Sequence, residues 1–382
     1  MNHFFILGSH PALSVAELTS RFSIKKPLRL GEVLIGDCAI GDPTESIRTL
    51  GGTIKIGRLI GRVTPSGLYD VLVTELLAAE KSGKFNFGIS VYGKSSLNTH
   101  KLGLELKTAL KAEGVSCRFV TSREKTLSSV VVEQNKLVAG GRELVVIVDN
   151  GQAHVGVTES VQPFKQLSRR DYGRPARDDH SGMLPPKLAQ IMINLSGCPL
   201  DGALLDPFCG SGTVLTEAML MGYRSIFGSD LSAKAVDDSK ENIEWTKKES
   251  GLSVTPKVRQ SDARQLSRIY APGTIEAVVG ETYLGPQRGA VNIKKTAVEL
   301  STLYGLVLKE IARVLRPGGR AVLALPAFVE GRRRHLLPLS FSSLSLLKPP
   351  AGPATEGISE RGTFLYGRPG QRVWREIIVV KK

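Results

Sequence analysis

The chain has 382 residues, enough for two or three domains, and 41 % of them are hydrophobic, which suits a buried core. Lys and Arg number 51 against 36 Asp and Glu, a formal net charge of +15. That excess favours a polyanionic partner, nucleic acid first, over a merely basic solvated surface. No apolar run nears the ~20 residues that a membrane-spanning helix needs. Cys38, Cys117, Cys198 and Cys209 show no paired spacing, and the six histidines fall in no HxxxH or HxxE pattern. The expectation is no metal, no disulfide framework and a reducing, cytoplasmic setting.

The opening MNHFFILGSH lacks a basic leader and a cleavage site and reads as a first strand, not a signal peptide. SVAELTSRF follows with helical spacing. Ser14 and Glu17 fit a capping box there, with Pro11 just upstream of the helix. YDVLVTELLAAEKSGK is a second helix, so residues 1–85 form an α+β region of ferredoxin-like type.

Residues 86–160 form a second α+β unit. FGISVYG is a strand, and HKLGLELKTALKAEG is a helix stopped at Gly114. SCRFVTS, SSVVVEQN and ELVVIVDNGQAHVGVT read as strands, with a hairpin turn at Asn150-Gly151. Residues 161–185 lose all periodicity and read as a linker or binding loop. PPKLAQIMINLSG is then a helix with Pro186 in its first turn and Gly197 as its stop.

From residue 203 strands and helices alternate, which means a parallel sheet wrapped by helices over residues 186–382. The end, GTFLYGRPGQRVWREIIVV, reads as an antiparallel terminal hairpin that adds an edge strand.

LLDPFCGSGTVLTEA (204–218) runs a buried strand into Asp206, then a Gly210-Ser211-Gly212 loop, then a helix. No GK[ST] follows, and Leu215 stands where a third glycine of GxGxxG would fall. Asp206 beside the loop argues for a cationic ligand, such as an amino group or sulfonium, rather than a pyrophosphate. Asp230 ends the next strand, where a carboxylate suits two ribose hydroxyls. Asp262 ends the third, where it can accept from an exocyclic amine. A single Asp is as readily a helix cap; three at successive strand ends are not.

DPFCGSGT with Asp230 and Asp262 resembles the cofactor site of class I S-adenosylmethionine-dependent methyltransferases. The chain is similar over nearly its whole length to the THUMP-domain tRNA guanine-N2 methyltransferases. HFFILGSHPALSVAEL resembles that family's opening, residues 86–160 its THUMP module, and RRDYGRPARDDHSGMLPPKLAQIMINL the joining segment. The fold so implied is α/β: a Rossmann-like class I methyltransferase domain with an antiparallel terminal hairpin, preceded by an α+β N-terminal region containing a THUMP-like module. The resemblance implies S-adenosylmethionine held by Asp206, Phe208, Gly210, Gly212, Asp230 and Asp262. Ser181, with Gly182, Pro185 and Lys187, would border its methionine end. The implied partner is tRNA, with no membrane and no metal; a protein partner is left open.

The family places an acidic residue, two prolines and an aromatic after the fourth strand. Here the stretch reads VVGETYLGP (278–286). If Tyr283 is the aromatic, the acidic slot falls on Gly280 and the prolines on Glu281 and Thr282. Glu281 then supplies a carboxylate one position late, Tyr283 a stacking ring, and Gly285-Pro286 a rigid turn. A rewired working site is the favoured reading. A dead site on a tRNA-binding scaffold and a DNA amino-methyltransferase are the alternatives.

Lys165, Arg169, Arg170, Arg174 and Arg177 gather around Tyr172 as candidate RNA contacts, balanced against Arg169–Asp171 and Arg177–Asp179 pairs that merely brace a linker. Lys101, Lys107 and Lys111 are phosphate contacts or simple surface lysines. GRRRH (331–335) lies on the side where substrate docks but reads first as a solvated loop. Cys209 reads as a packing residue, not a nucleophile.

Overall fold

The computed structural model describes residues 2–81, 83–177, 183–286, 292–341, 343–349 and 356–382. The chain divides into two units. Residues 1–9, 22–48 and 53–164 form the first; residues 10–21, 49–52 and 165–382 form the second.

In the first unit, eight strands make one sheet: β1 (Asn2–Leu7), β2 (Lys25–Leu30), β3 (Val33–Asp37), β4 (Thr53–Val63), β5 (Phe85–Tyr92), β6 (Cys117–Val120), β7 (Arg142–Asp149) and β8 (Gln152–Val161). Their order is β2-β3-β1-β4-β8-β7-β5-β6. The β4–β8 pairing is antiparallel and joins residues 1–85 to residues 86–160. The two regions separated in the sequence are therefore one sheet. Helix α1 (Pro11–Arg21) belongs to the second unit. Helices α2 (Pro43–Arg48), α3 (Leu68–Ala78), α4 (Thr99–Ala112) and α5 (Ser129–Gln134) complete the first. Leu72 and Leu76 of α3 and Leu106 and Leu110 of α4 bury against Phe87 and Val146 of the sheet. The β7–β8 hairpin turns where expected, with positive φ at Asn150 and Gly151.

Three local expectations change. SSVVVEQN is not a strand but α5, because Ser128 caps Val131 N–H and tertiary packing buries Val132 alone of the three valines. Helix α1 begins at Pro11, whose missing N–H costs nothing in a first turn. Ser14 and Glu17 form no capping box. The Ser14 hydroxyl donates to the His10 carbonyl, and the Glu17 carboxylate accepts from Gly51 N, Gly52 N and Asn194 Nδ2 at 2.8–2.9 Å.

The second unit continues with α6 (Phe164–Tyr172), α7 (Pro186–Ser196), β9 (Ala203–Asp206), α8 (Thr213–Leu220), β10 (Ser225–Asp230), α9 (Ala233–Ser250), β11 (Lys257–Gln260), β12 (Ile275–Glu281) and α10 (Ile293–Val314). Then come β13 (Leu315–Glu330), β14 (Arg333–Leu336), β15 (Ser345–Leu346), β16 (Phe364–Tyr366) and β17 (Val373–Lys381). The sheet order is β11-β10-β9-β12-β13-β17-β15, with β14 on β13 and β16 on β17. β9 to β13 are parallel, and β17 runs antiparallel to β13. β17 is thus not an edge strand: β15 and β16 pair along its far side.

Alternate residues of β12, β13 and β17 go to opposite cores. Val279, Ala324 and Ile377 face α1, α7 and α8; Val278, Leu323 and Ile378 face α10. Covering both faces explains the nearly continuous apolar strands. Residues 164–172, read as loop, are helix α6. Only Leu167 is buried in it, so no periodicity marks it in the sequence. The chain runs β9, β10, β11 toward one edge and then returns to β12 on the other side of β9. Ligand crevices form at such a reversal. Asp206 ends β9 and Glu281 ends β12, so the two carboxylates flank it.

Candidate active site

A cavity of about 980 Å³ opens at the carboxyl ends of these strands. Asp206, Phe208, Gly210, Asp230 and Asp262, the expected cofactor residues, all line it. Gly212 does not. Its φ of +82° turns the chain into α8, and a Cβ there would stand 3.1 Å from Ser239 Oγ, so its role is to admit α9 behind the loop. Ser181 and Gly182 lie outside the described residues. Met183 and Leu184 line the cavity instead, while Pro185 caps α7 and the Lys187 carbonyl packs on Gly51.

The glycine loop is held from behind by residues the sequence reading missed. Ser239 Oγ donates to Gly210 O at 2.7 Å, and Asn242 Nδ2 donates to Ser211 O at 2.8 Å and to Ala176 O at 2.9 Å. Both sit on α9 among polar residues that look like a solvated helix face. Cys209 is buried and its thiol is pushed far up by burial, which bears out its reading as a packing residue.

Asp206 is 2 % exposed and its Oδ1 accepts one bond, from Phe208 N at 3.0 Å. Burial, then the nearby Asp230 and Glu281, hold its carboxyl well above the usual range. A buried carboxylate with one partner is costly until a cation arrives. Asp230 Oδ2 accepts from Gly210 N at 3.0 Å and Oδ1 from Ser232 N at 2.9 Å. Each oxygen keeps a lone pair, the arrangement a vicinal diol needs. Asp262 does not end β11 but lies two residues beyond it and caps the short helix that follows: its Oδ1 accepts from Arg264 N at 2.8 Å, and Arg264 Nε and Nη2 engage both its oxygens and hold its carboxyl low. A buried anion, a diol acceptor and open glycine backbone fit S-adenosylmethionine, which carries a sulfonium, an amino group and a ribose.

Gly280, where the family pattern has its acidic residue, lies against the Asp206 carboxyl. A Cβ on Gly280 would lie 2.5 Å from Asp206 Oδ1. Successive strand residues point to opposite faces, and Glu281 meets Arg375 of β17, whose Nε donates to Glu281 Oε1. Arg375 Nη2 also reaches Met183 O at 3.4 Å. Glu281 Oε2 has no hydrogen-bond partner among the described residues, and Glu281 lines the cavity. Burial raises its carboxyl and Arg375 opposes that rise. Tyr283 is 55 % exposed at the rim, its carbonyl accepting from Tyr304 OH, while Thr282 is tied through N and Oγ1 to Ala324 O. Gly285 turns at φ +84° against Phe328 and Leu300. No prolines are needed, because backbone and side-chain bonds to β13 and α10 fix the loop.

The five basic candidates around Tyr172 separate. Arg170 is bound to the buried Glu217, through Nε at 2.7 Å and Nη2 at 3.2 Å. Arg174 is buried, with Nη1 on Thr213 Oγ1 at 2.5 Å. Neither is available to RNA; both brace α6 and its exit against α8. Arg169 pairs with Glu249 at 2.6 Å, not with Asp171. Arg177 lies over the Tyr172 ring and lines the cavity, and its expected partner Asp179 lies outside the described residues. Lys165 stands in the first turn of α6 and is exposed. Among the described residues no cluster of three metal-ligating side chains occurs, and no helix is long and apolar enough to cross a membrane.

Residues 174–330 match the family model described as RMKL-like, methyltransferase domain. Over this stretch the chain is similar to a methyltransferase domain. A DNA methylase model also matches, over residues 92–241. Among curated relatives, the tRNA (guanine(10)-N2)-dimethyltransferase of Methanothermobacter thermautotrophicus is 31 % identical over 151 residues, 40 % of this chain and 41 % of that protein. The tRNA (guanine(6)-N2)-methyltransferase of Thermus thermophilus is 32 % identical over 180 residues, 47 % of this chain and 48 % of that protein. The alignments thus span less than half the length of either relative. The crystal structure of TrmN from Thermus thermophilus superposes with a TM-score of 0.54 at 21 % identity, covering both chains entirely, so the methyltransferase domain and the unit before it share that fold.

Proposed function

We propose that the protein is a cytoplasmic tRNA methyltransferase that moves a methyl group from S-adenosylmethionine to the N2 amine of a guanosine. The observation that carries this reading is the pairing, at one crevice, of the buried Asp206 with the open Oε2 of Glu281 beside the exposed ring of Tyr283. S-adenosylmethionine supplies a methyl group made electrophilic by its sulfonium. Asp206 would hold its positive end, Asp230 its ribose and Asp262 its adenine amine. An exocyclic amine is a poor nucleophile because its lone pair is delocalised into the ring. Glu281 Oε2 would accept an amine hydrogen, orient the lone pair and take the proton that the amine sheds. Tyr283 offers a face to a base drawn out of its stack. The relatives named for guanine-N2 methylation in tRNA support this substrate.

The first unit then serves as the THUMP-like part, and the formal charge of +15 over the whole chain suits an RNA partner. Four free, buried cysteines suit a reducing compartment. A second reading, a DNA amino-methyltransferase, draws on the DNA methylase match. Transfer of labelled methyl into unmodified bulk tRNA and into duplex DNA, followed by nucleoside analysis, separates them. Label in N2-methylguanosine supports the proposal. Label in a DNA amine favours the second reading. No label with cofactor and tRNA both bound overturns catalysis.

A further inference from the structure

β13 does not stop where the catalytic loop leaves the sheet. Its last pairing with β12 is Ala324 opposite Glu281, and it runs on to Glu330. Those six further residues, at about 3.3 Å each, carry it roughly 20 Å past the level of Glu281. β14 and the start of β17 flank this extension, with Ala327 opposite both Leu336 and Trp374. Parallel strands put the site at their carboxyl ends, so the extension rises on the cavity side.

Two turns meet at its tip. The β13–β14 turn carries Arg332, and β14 opens on Arg333 and Arg334; the turn before β17 carries Arg368 and Arg372. Phe328 opposite Val373 and Val329 opposite Arg334 place them side by side. Arg332, Arg333, Arg368 and Arg372 are exposed. Among the described residues, no carboxylate pairs with the guanidinium of Arg332, Arg333 or Arg368. The acid at the tip, Glu330, is bound to His335 at 2.9 Å.

Trp374 locks the two turns together. Arg334 lies 4.1 Å from the indole centroid, Trp374 Nε1 donates to Arg368 O at 3.1 Å, and a Cβ on Gly367 would stand 2.3 Å from the ring. The indole is engaged as a clamp and leaves no free stacking face to explain it as a base platform. The extension is also mechanically tied to the site, since Phe328 packs on Gly285 of the catalytic loop.

We infer that this rigid arginine-bearing arch is a docking surface for the phosphate backbone of structured RNA beside the target nucleotide. The inference rests on the methyltransferase reading for its substrate, but not for its binding test. Strand pairing and the Trp374 contacts fix the backbone that presents these guanidiniums, and exposed guanidiniums of one sign on a fixed base suit phosphates better than a loop of mixed charges. A tertiary cluster assembled from residues about forty positions apart also explains why GRRRH by itself looked bland.

The test is binding of unmodified bulk tRNA by the full chain across a salt series, apart from any methyl transfer. The triple variant Arg332→Ala, Arg333→Ala, Arg368→Ala is expected to weaken binding at least tenfold at moderate salt. It should also lower the salt slope by about two to three, at roughly 0.7–0.9 for each phosphate no longer neutralised. The triple Arg→Lys variant keeps the charge and is expected to keep most of the slope. Alanine at Lys240, Lys247 and Lys248 of α9, equal in charge removed, is expected to change neither. An unchanged slope in the Arg→Ala variant overturns the inference even if methyl transfer is confirmed. Equal losses from the α9 variant overturn it too, by reducing the arch to bulk charge. Displacement of tRNA by poly-glutamate as readily as by unlabelled tRNA would overturn it in favour of an acidic protein partner. A lowered slope in a protein that transfers no methyl supports the docking surface and removes the catalytic reading alone.

Discussion

Each unit buries a carboxylate in its sheet, and the two are treated in opposite ways. In the first unit Glu143 is wholly buried and wholly answered. Lys55 Nζ donates to its Oε1 at 2.5 Å, Ser90 Oγ to the same oxygen at 2.5 Å, and Thr158 Oγ1 to Oε2 at 2.7 Å. Lys55 in turn reaches Leu127 O at 2.6 Å, tying the loop before α5 to the sheet. In the second unit Asp206 has, among the described residues, one backbone N–H and no cation. Glu281 has one cation on one oxygen and leaves the other open. A closed cluster fixes a fold. An open one stores an unmet demand for positive charge and for a proton donor, which is what a ligand site is.

The contrast is sharpest at Glu281. Glu281→Gln keeps the shape but cannot take a proton, so methyl transfer should fall by about 10²–10⁴-fold. Cofactor affinity, measured by calorimetry, should change little. Full transfer in this variant would remove Glu281 from the mechanism. Next in size, Glu143→Gln leaves the Lys55 ammonium buried without a counter-charge. It should cost about 3–5 kcal/mol in chemical denaturation of the first unit, with cofactor binding intact. A loss under about 1 kcal/mol would mean the cluster is not closed as described.

Asp206→Asn should part stability from function. Its folded carboxyl lies above its ordinary value, so its contribution to stability is full below the ordinary carboxylate range and is lost as pH rises. The variant should therefore melt higher than the parent without ligand at neutral to mildly alkaline pH and show a flatter pH dependence. It should also bind S-adenosylmethionine about 10–100-fold more weakly. A lower melting temperature without ligand would show that Asp206 is a structural group like Glu143.

The smallest expected change is in a pH profile. Arg375 opposes the rise that burial imposes on Glu281. Arg375→Met removes that opposition, so the acid limb of the rate–pH profile should move to higher pH. The rate at high pH should recover toward the parent value if Arg375 acts through the charge of Glu281. A uniform loss at every pH would make it a mere packing residue.

Much of the second unit was legible because local signals agreed with one another. Apolar strands ending in Asp206 and Asp230, glycines at a strand–helix turn, and Pro186 and Gly197 at the two ends of α7 each follow from short-range chemistry. The errors have a common cause as well. SSVVVEQN became a helix, α6 appeared in a segment with no periodicity, and Arg170 and Arg174 went inside rather than to RNA. In each case burial decided the outcome: Val132 and Leu167 are the single buried residues of α5 and α6, and Arg170 and Arg174 meet Glu217 and Thr213 of α8. Helix α1 is the largest instance: residues 10–21 and 49–52 belong to the second unit, where α1 packs on α7. Deleting residues 1–160 would therefore strip part of the methyltransferase unit's core, and loss of tRNA binding on deletion would not isolate a binding role for the first unit.

By itself the sequence determined the alternation of the second unit, the strand-end carboxylates and the net charge, because these depend on residue type and spacing along one chain. Only the tertiary structure decided how VVGETYLGP works. The Asp206 carboxyl crowds the place of a side chain on Gly280, Arg375 occupies one oxygen of Glu281, and Tyr304 and Ala324 hold the loop's backbone where the family has two prolines. Those interactions join β9, β12, β13, α10 and β17. No local pattern encodes them, because steric exclusion and charge pairing act between residues that folding alone brings together.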